Sequence, residues 1–409
     1  MIDSRRSRRG LLAIAGVALA LVAGSTAGTA QAGVRAATAA DTALHDVLLV
    51  GNSASGSVSF LDGRTFANLG TFNVVPDLSD RLAEINADPI WWSAYQLIKN
   101  QEGGDRFVDD ASISPDGTTL YVSRGNLDDA VAFDLASKKM LWRFKLDGYH
   151  ADHATLSPDG KYFIVSATTA NVVDVLNAAT GAKVTSVPTG TYPHANDYSA
   201  DGRYLYNSSI GLVWLSHALD ALKGDRQVTV IDPSTWTVVK KYTFSEGVRP
   251  AVFTPDGKTM YAQLSYLNGF IEYDLTTSTI TRTVTMPYST KAASLGYDDY
   301  PRNSAHHGLA MSADGTKLCD VGTIDDYTAI VNRPGLTTQS IYNYATDSLP
   351  YWATTTVDGT HCAVTLSNAN AVSIIDYATG QEVARVPVGT FPQRERTAQV
   401  TGAALAALS

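Results

Sequence analysis

Imidazoles, carboxylates and one guanidinium recur in this 409-residue sequence at a fixed distance from a repeated tetrapeptide. Ser-Pro-Asp-Gly or a near variant begins at Ser114, Ser157, Ser199, Thr254, Ser312 and Thr356. Five residues before each stand Asp109, Asp152, His194, Arg249, His307 and Tyr351, with Asp110, His153, His306 and Trp352 beside them. A seventh position, Gln393 followed by Arg394, aligns because Gly389-Thr390-Phe391-Pro392-Gln393 repeats Gly190-Thr191-Tyr192-Pro193-His194. Such a set can do several things. His153, His194, His306 and His307 are candidate ligands for a transition metal, Cu, Zn or Fe. His194, His307 and Asp152 are candidate general acids and bases, with Tyr351 in the same ring and Arg249 holding an anionic group. The same residues can instead only solvate a channel. No His-x-x-x-His spacing decides for a metal. No Cys-x-x-Cys-His is present, which excludes a covalent c-type haem.

The tetrapeptides are spaced 43, 42, 55, 58 and 44 residues apart, the period of a propeller blade. An apolar strand leads into the turn, where Pro presets φ and Gly accepts positive φ. A second strand follows, as in Thr119–Ser123 and Lys161–Val165. A third ends at Asp62, Asp134, Asn177, Asp232, Asp274, Asn332 or Asp376, and a fourth completes the unit. Residues 46–75 hold three strands with no first strand before them, and Arg396–Val400 supply a first strand with nothing after it. The expectation is an all-β chain: a seven-bladed β-propeller over residues 46–401, closed by the C-terminal strand. An N-terminal extension (33–45) and a C-terminal tail (402–409) flank it. The innermost strands then bring the ring of polar residues to one channel mouth.

The six tetrapeptides, with strands such as Leu120-Tyr121-Val122-Ser123 and Val372–Asp376, resemble the YVTN-type propellers of the WD40/YVTN-like and quinoprotein amine dehydrogenase β-chain-like superfamily. The resemblance implies the seven-bladed fold. It does not imply one activity, since that superfamily includes enzymes, electron-transfer partners and binding proteins.

Three insertions depart from the repeat: residues 76–106, which read as short helices broken at Pro89, and residues 210–226 and 287–304. All fall in connections on one face of the ring, where functional loops gather. Two functions remain open. One is an exported enzyme acting on a small molecule at the channel mouth. The other is a non-catalytic scaffold that presents the insertion face to a protein partner or surface ligand.

Residues 1–32 read as an export signal: basic Arg5, Arg6, Arg8 and Arg9, the apolar run Leu11–Ala23, and Ala30-Gln31-Ala32 as a cleavage site. Ser7-Arg8-Arg9-Gly10-Leu11-Leu12 resembles the twin-arginine signal, with the general secretory route as the alternative. The expected location is extracellular or periplasmic. Removing the signal takes away a net charge of +3 and leaves the chain at −12 rather than −9, unsuited to nucleic acid. No membrane span is expected after the signal is removed. Cys319 and Cys362 lie on neighbouring second strands with registers differing by one, a difference that favours free thiols.

Overall fold

A computed structural model describes residues 42–408, so the export signal read from residues 1–32 lies outside the described residues. Seven four-stranded antiparallel sheets form a ring, a seven-bladed β-propeller. Blade one is composite. Its innermost strand, Pro392–Thr401, pairs antiparallel with Leu44–Asn52, in register from Leu44 opposite Thr401 to Val50 opposite Glu395, with a register shift before Asn52 and Pro392. The two chain ends thus share one sheet, and no open edge is left between blades one and seven. Beyond Thr401 the chain forms a short helix, Gly402–Leu408, whose Ala404 and Leu408 join the core of blades one and two.

The repeated tetrapeptide acts as a small hydrogen-bonded device. Its Ser or Thr hydroxyl donates to the Asp two residues on, at 2.5–2.7 Å in all six copies. In five of the six copies, all but Thr356, the same hydroxyl accepts the backbone N–H five residues on, where the second strand begins. The turn glycines sit at φ of 66–73°, a left-handed conformation open to Gly at little steric cost. Each turn therefore fixes where the innermost strand ends, and the residue five before it lands at the same height in each blade.

A second regularity aims the side chains. The innermost strand slips register just before its regular ladder, between Ala151 and Ala154, Pro193 and Asn196, Val248 and Ala251, and Pro350 and Ala353. A bulge frees consecutive residues from strict alternation, so Asp152 and His153, or Tyr351 and Trp352, both reach the channel region.

The two cysteines form a disulfide between blades six and seven, with Cα atoms 6.4 Å apart, which corrects the expectation of free thiols. Cys319 is seven residues past its turn serine and Cys362 six past its turn threonine. An odd offset places two residues on opposite faces of their sheets. Adjacent blades pack face to face, so opposite faces are the ones that meet.

Helices α1 (Leu78–Ala87) and α2 (Pro89–Gln101) form the first insertion. Asp88 caps α2 by accepting the N–H groups of Ile90 and Trp91, with Pro89 at its first turn. Trp91 and Tyr95 are buried in a cluster with Phe107 and Leu127, and Ile98 is buried as well. Arg81 and Arg124 pin the pair to blade two through Asp129 and Asp77, at 2.5–3.0 Å. The other two insertions are short 3₁₀ turns. The three meet: the His217 N–H donates to Asp298 at 2.6 Å, and Arg302 forms an ion pair with Glu102.

Candidate metal centre

Beneath these insertions the channel mouth narrows to a closed chamber. Asp109, Asp152, His153, His194, Arg249, Tyr351 and Gln393 line it, together with Glu102, His150, Tyr192 and Arg302. Its free volume is about 20 Å³, room for one water or one ion. The insertions form its roof through Glu102, Ile210, Val213 and Arg302.

Three imidazoles converge here with one common orientation. His194 Nδ1 lies 3.0 Å from Asp152 Oδ2. His153 Nδ1 lies 3.2 Å from the Asp109 carbonyl oxygen. His307 Nδ1 lies 3.3 Å from the Tyr351 carbonyl oxygen. A carbonyl can only accept, so His153 and His307 carry their proton on Nδ1 and donate it outward. Burial opposes ionisation of Asp152, but His194 and His153 outweigh it and hold the carboxyl well below its usual range. As a carboxylate, Asp152 assigns the Nδ1 proton of His194 in the same way. Burial, first of all, holds all three imidazoles below their usual pKa.

That tautomer leaves an Nε2 lone pair on each of the three rings. His194 Nε2 and His307 Nε2 face each other at 3.2 Å. His153 Nε2 is buried with no hydrogen-bond partner. The His153 and His194 rings lie 4.3 Å apart, and Trp352 sits against both His153 and His307, at 5.2 and 5.8 Å. Ligand atoms of Asp152, His153 and His194 come within 4.8 Å of one another.

The rest of the chamber is polar and unevenly charged. Burial first, and then the Asp152 charge, push the Asp109 carboxyl well above its usual range, and its Oδ2 has no hydrogen-bond partner. Arg249 is 1% exposed. It donates to Ser265 Oγ at 3.1 Å and to the Arg302 carbonyl, and among the described residues no carboxylate lies within ion-pairing distance of it. Burial lowers it to about 10, so it stays cationic at neutral pH. Tyr351 stacks on His307 with ring centres 4.0 Å apart, and burial pushes its hydroxyl up to about 12.

Of the residues named from the sequence, Asp152, His153, His194, His307, Arg249 and Tyr351 come together. His306 does not. Its Nδ1 pairs with Asp320 of blade six at 3.1 Å and its Nε2 with Asn268 of blade five at 3.0 Å, between the two blades. Successive residues of an extended chain point opposite ways, and no bulge intervenes at His306-His307. Glu102, Arg302 and His150 are among the chamber residues that escaped the repeat reading. Glu102 and Arg302 lie in insertions that have no register to count from. His150 stands two residues before Asp152, just ahead of the strand.

No family model and no curated protein matches the sequence. Solved structures do match in fold. Hydrazine synthase of Kuenenia stuttgartiensis is 18% identical over 70% of this chain and 88% of its own, with a TM-score of 0.53. The dihydro-heme d1 dehydrogenase NirN, solved in complex with DHE, is 13% identical over 89% of this chain and 76% of its own, with a TM-score of 0.56. At these identities the likeness is one of fold.

Proposed function

We propose that this chain is an exported, metal-dependent propeller enzyme whose centre is held by His153, His194 and His307 and acts on a small anionic or carbonyl-bearing molecule. One observation carries the reading: three buried imidazoles donate a hydrogen bond from Nδ1 and so keep an Nε2 lone pair each, those of His194 and His307 3.2 Å apart, and ligand atoms of His153, His194 and Asp152 lie within 4.8 Å of one another. Metal-bound histidines characteristically donate the other ring N–H to a carboxylate or backbone carbonyl, and here Asp152, the Asp109 carbonyl and the Tyr351 carbonyl accept it. Three imidazoles suit Cu, Zn or Fe and leave one position open, where the metal supplies Lewis acidity. Arg249, cationic and free of a carboxylate partner, supports binding of a negatively charged oxygen. Asp109, whose carboxyl burial and the Asp152 charge push well above its usual range, is placed to donate a proton. A volume of about 20 Å³ suits an ion rather than a macrocycle, and substrate must enter by movement of the roof.

Export rests on the arginine-rich residues 1–32, and the buried disulfide is in keeping with an oxidising compartment. Among the described residues no helix is long and apolar enough to cross a membrane.

The test is elemental analysis of the purified protein, followed by titration of the metal-stripped protein with Cu²⁺, Zn²⁺ and Fe²⁺. One metal per chain is expected, lost in His153→Ala, His194→Ala and His307→Ala with unfolding midpoints near that of the apo wild type. Failure of the stripped wild type to take up any of the three ions refutes the centre.

A further inference from the structure

The innermost strands end at the tetrapeptide turns, on the face opposite the insertions, and there the channel opens again. A cavity of about 430 Å³ lies against the strand ends of blades four to seven and one, a size typical of small-molecule sites. Val252, Phe253, Leu309 and Met311 give it an apolar wall. A second cavity, of about 620 Å³, lies mainly against blades one to three and is edged by Ser112, Ser114, Thr155 and Ser157. Arg396 lines both.

Two guanidiniums at this mouth share one carboxylate. Arg396 meets Asp110 side-on, with Nε and Nη2 each 2.8 Å from a carboxylate oxygen, and Nη2 also donates to the Ala154 carbonyl at 2.7 Å. That geometry turns Nη1 and its two N–H donors away from Asp110. Among the described residues Nη1 donates to nothing. The Arg396 side chain is 24% exposed, at the edge of both cavities. Arg394 is buried: its Nε lies 2.7 Å from Asp110, its guanidinium covers the Trp352 ring at 3.9 Å, and its Nη1 has no partner. Burial lowers it to about 10, so it stays cationic at neutral pH. Asp110 has no capacity to spare, since it also accepts the N–H groups of Ala111 and Ala154. The other carboxyls nearby do not make up the difference. Both Glu395 oxygens are sealed from the cavity, and burial pushes that carboxyl well above its usual range. Asp197 lines the apolar cavity but forms no ion pair with either arginine. Burial, first of all, pushes it up in spite of both cations. Positive charge is therefore in excess where Arg396 meets the cavity.

We infer that the lower mouth of the channel is a binding site for an organic carboxylate, its anionic end on Arg396 Nη1 and its apolar body against Phe253, Leu309 and Met311. A guanidinium corner with donors left over, beside an apolar wall, selects a carboxylate that carries a hydrophobic group. A neutral amide of the same shape meets the same wall but forgoes the charge-assisted bond. Asp110 is a positioning residue: it holds Arg396 with the free corner outward. The site uses none of the three histidines and does not depend on the metal centre.

The probes are 3-phenylpropionate and its neutral isostere 3-phenylpropanamide, titrated calorimetrically into the purified protein at pH 7. The wild type is expected to bind the carboxylate at least tenfold more tightly. Arg396→Met keeps an apolar stem and leaves Asp110 paired with Arg394. It should bind the two probes alike, with the amide affinity of the wild type. Asp197→Asn leaves the Arg396 pairing intact and removes the one carboxyl that opposes an anion in the cavity, so it should bind the carboxylate more tightly and the amide as before. Phe253→Ala should weaken both probes. His194→Ala should keep the preference, which separates this result from the fate of the metal centre. The inference is overturned by a wild type that binds neither probe or both equally, by an Arg396→Met protein that keeps the preference, or by an Asp197→Asn protein that gains nothing for the carboxylate.

Discussion

The Nε2 atoms of His194 and His307 lie 3.2 Å apart, and neither carries a proton to share. Two nitrogens bound to one tetrahedral metal at about 2.0–2.1 Å are separated by about 3.3 Å. The innermost strand of blade four and the loop before the innermost strand of blade six therefore present two imidazoles at ligand spacing, with the His153 ring of blade three 4.3 Å from that of His194.

Asp152→Asn tests whether the carboxylate behind His194 tunes the centre. Asp152 accepts from His194 Nδ1 at 3.0 Å and from the His153 backbone N–H at 2.8 Å. Asparagine can keep the accepting oxygen but loses the charge that fixes the tautomer. Metal affinity should fall about 10- to 100-fold with a near-wild-type unfolding transition of the apo protein. A competition titration with a chromogenic chelator reads the change, and unchanged affinity would remove Asp152 from the role.

Ring closure rests on the C-terminal strand. Deleting residues 390–409 strips blade one of its innermost strand, Pro392–Thr401, and of the helix that packs Ala404 and Leu408 into the core. The expected loss is comparable with a domain's whole stability, about 5–15 kcal/mol, so the truncated chain should show no cooperative melt by circular dichroism. An unaltered melting curve would contradict the closure.

The blade count and the ring of polar positions were legible in the sequence because each depends on a short-range device. The hydroxyl-to-aspartate bond of Ser157 and Asp159 needs only the tetrapeptide, and counting back from it reaches Asp152 on a strand of fixed length. Other features depend on how elements meet. Glu102 and Arg302 are 200 residues apart and join only because two insertions rise from the same face. The Cys319–Cys362 pair needed the face-to-face packing of blades, although the odd offset that argued against it was in fact the available signal. Strand alternation could have separated His306 from His307, but the bulges that bring both Asp152 and His153 to the channel have no equally clear sequence mark.

The disulfide closes a loop of 43 residues between blades six and seven. Removing it by Cys319→Ser with Cys362→Ser should cost about 2–4 kcal/mol, with no change in metal content. Chemical denaturation of the double variant, and of the wild type under reductant in the unfolded state, should give matching midpoints below that of the oxidised wild type. Equal midpoints for oxidised and double-variant proteins would show that the bond adds nothing.

Glu246 supplies a pH signature in the roof region. Burial, and then the Asp220 charge, push it up to about 7, and Arg226 at 3.8 Å offsets this only in part. The folded state thus holds a proton that the unfolded chain releases near pH 4.5. Its contribution to stability is present in full below that value and is lost as pH rises through about 7. Relative to Glu246→Gln, the wild type should lose melting temperature between pH 4.5 and 7.5. Parallel curves for the two proteins would refute the assignment.

The roof must open if substrate is to reach a chamber of about 20 Å³, and the Glu102–Arg302 pair is the contact that ties the first insertion to the third. Both side chains are largely buried, at 9% and 15% exposure, so the pair is screened less than one at the surface. Glu102→Gln keeps the shape and one acceptor but leaves the Arg302 charge without its carboxylate. Loss of a charged hydrogen bond is worth about 1.5–3 kcal/mol, which corresponds to opening at least about tenfold more often. Amide exchange in residues 97–104 and 297–304 should quicken by that factor, while the strands of blade four keep their wild-type rates. Where opening limits turnover, the same variant should turn over faster; exchange that stays at the wild-type rate in both insertions would show that the roof is held shut by other contacts, such as the His217–Asp298 bond.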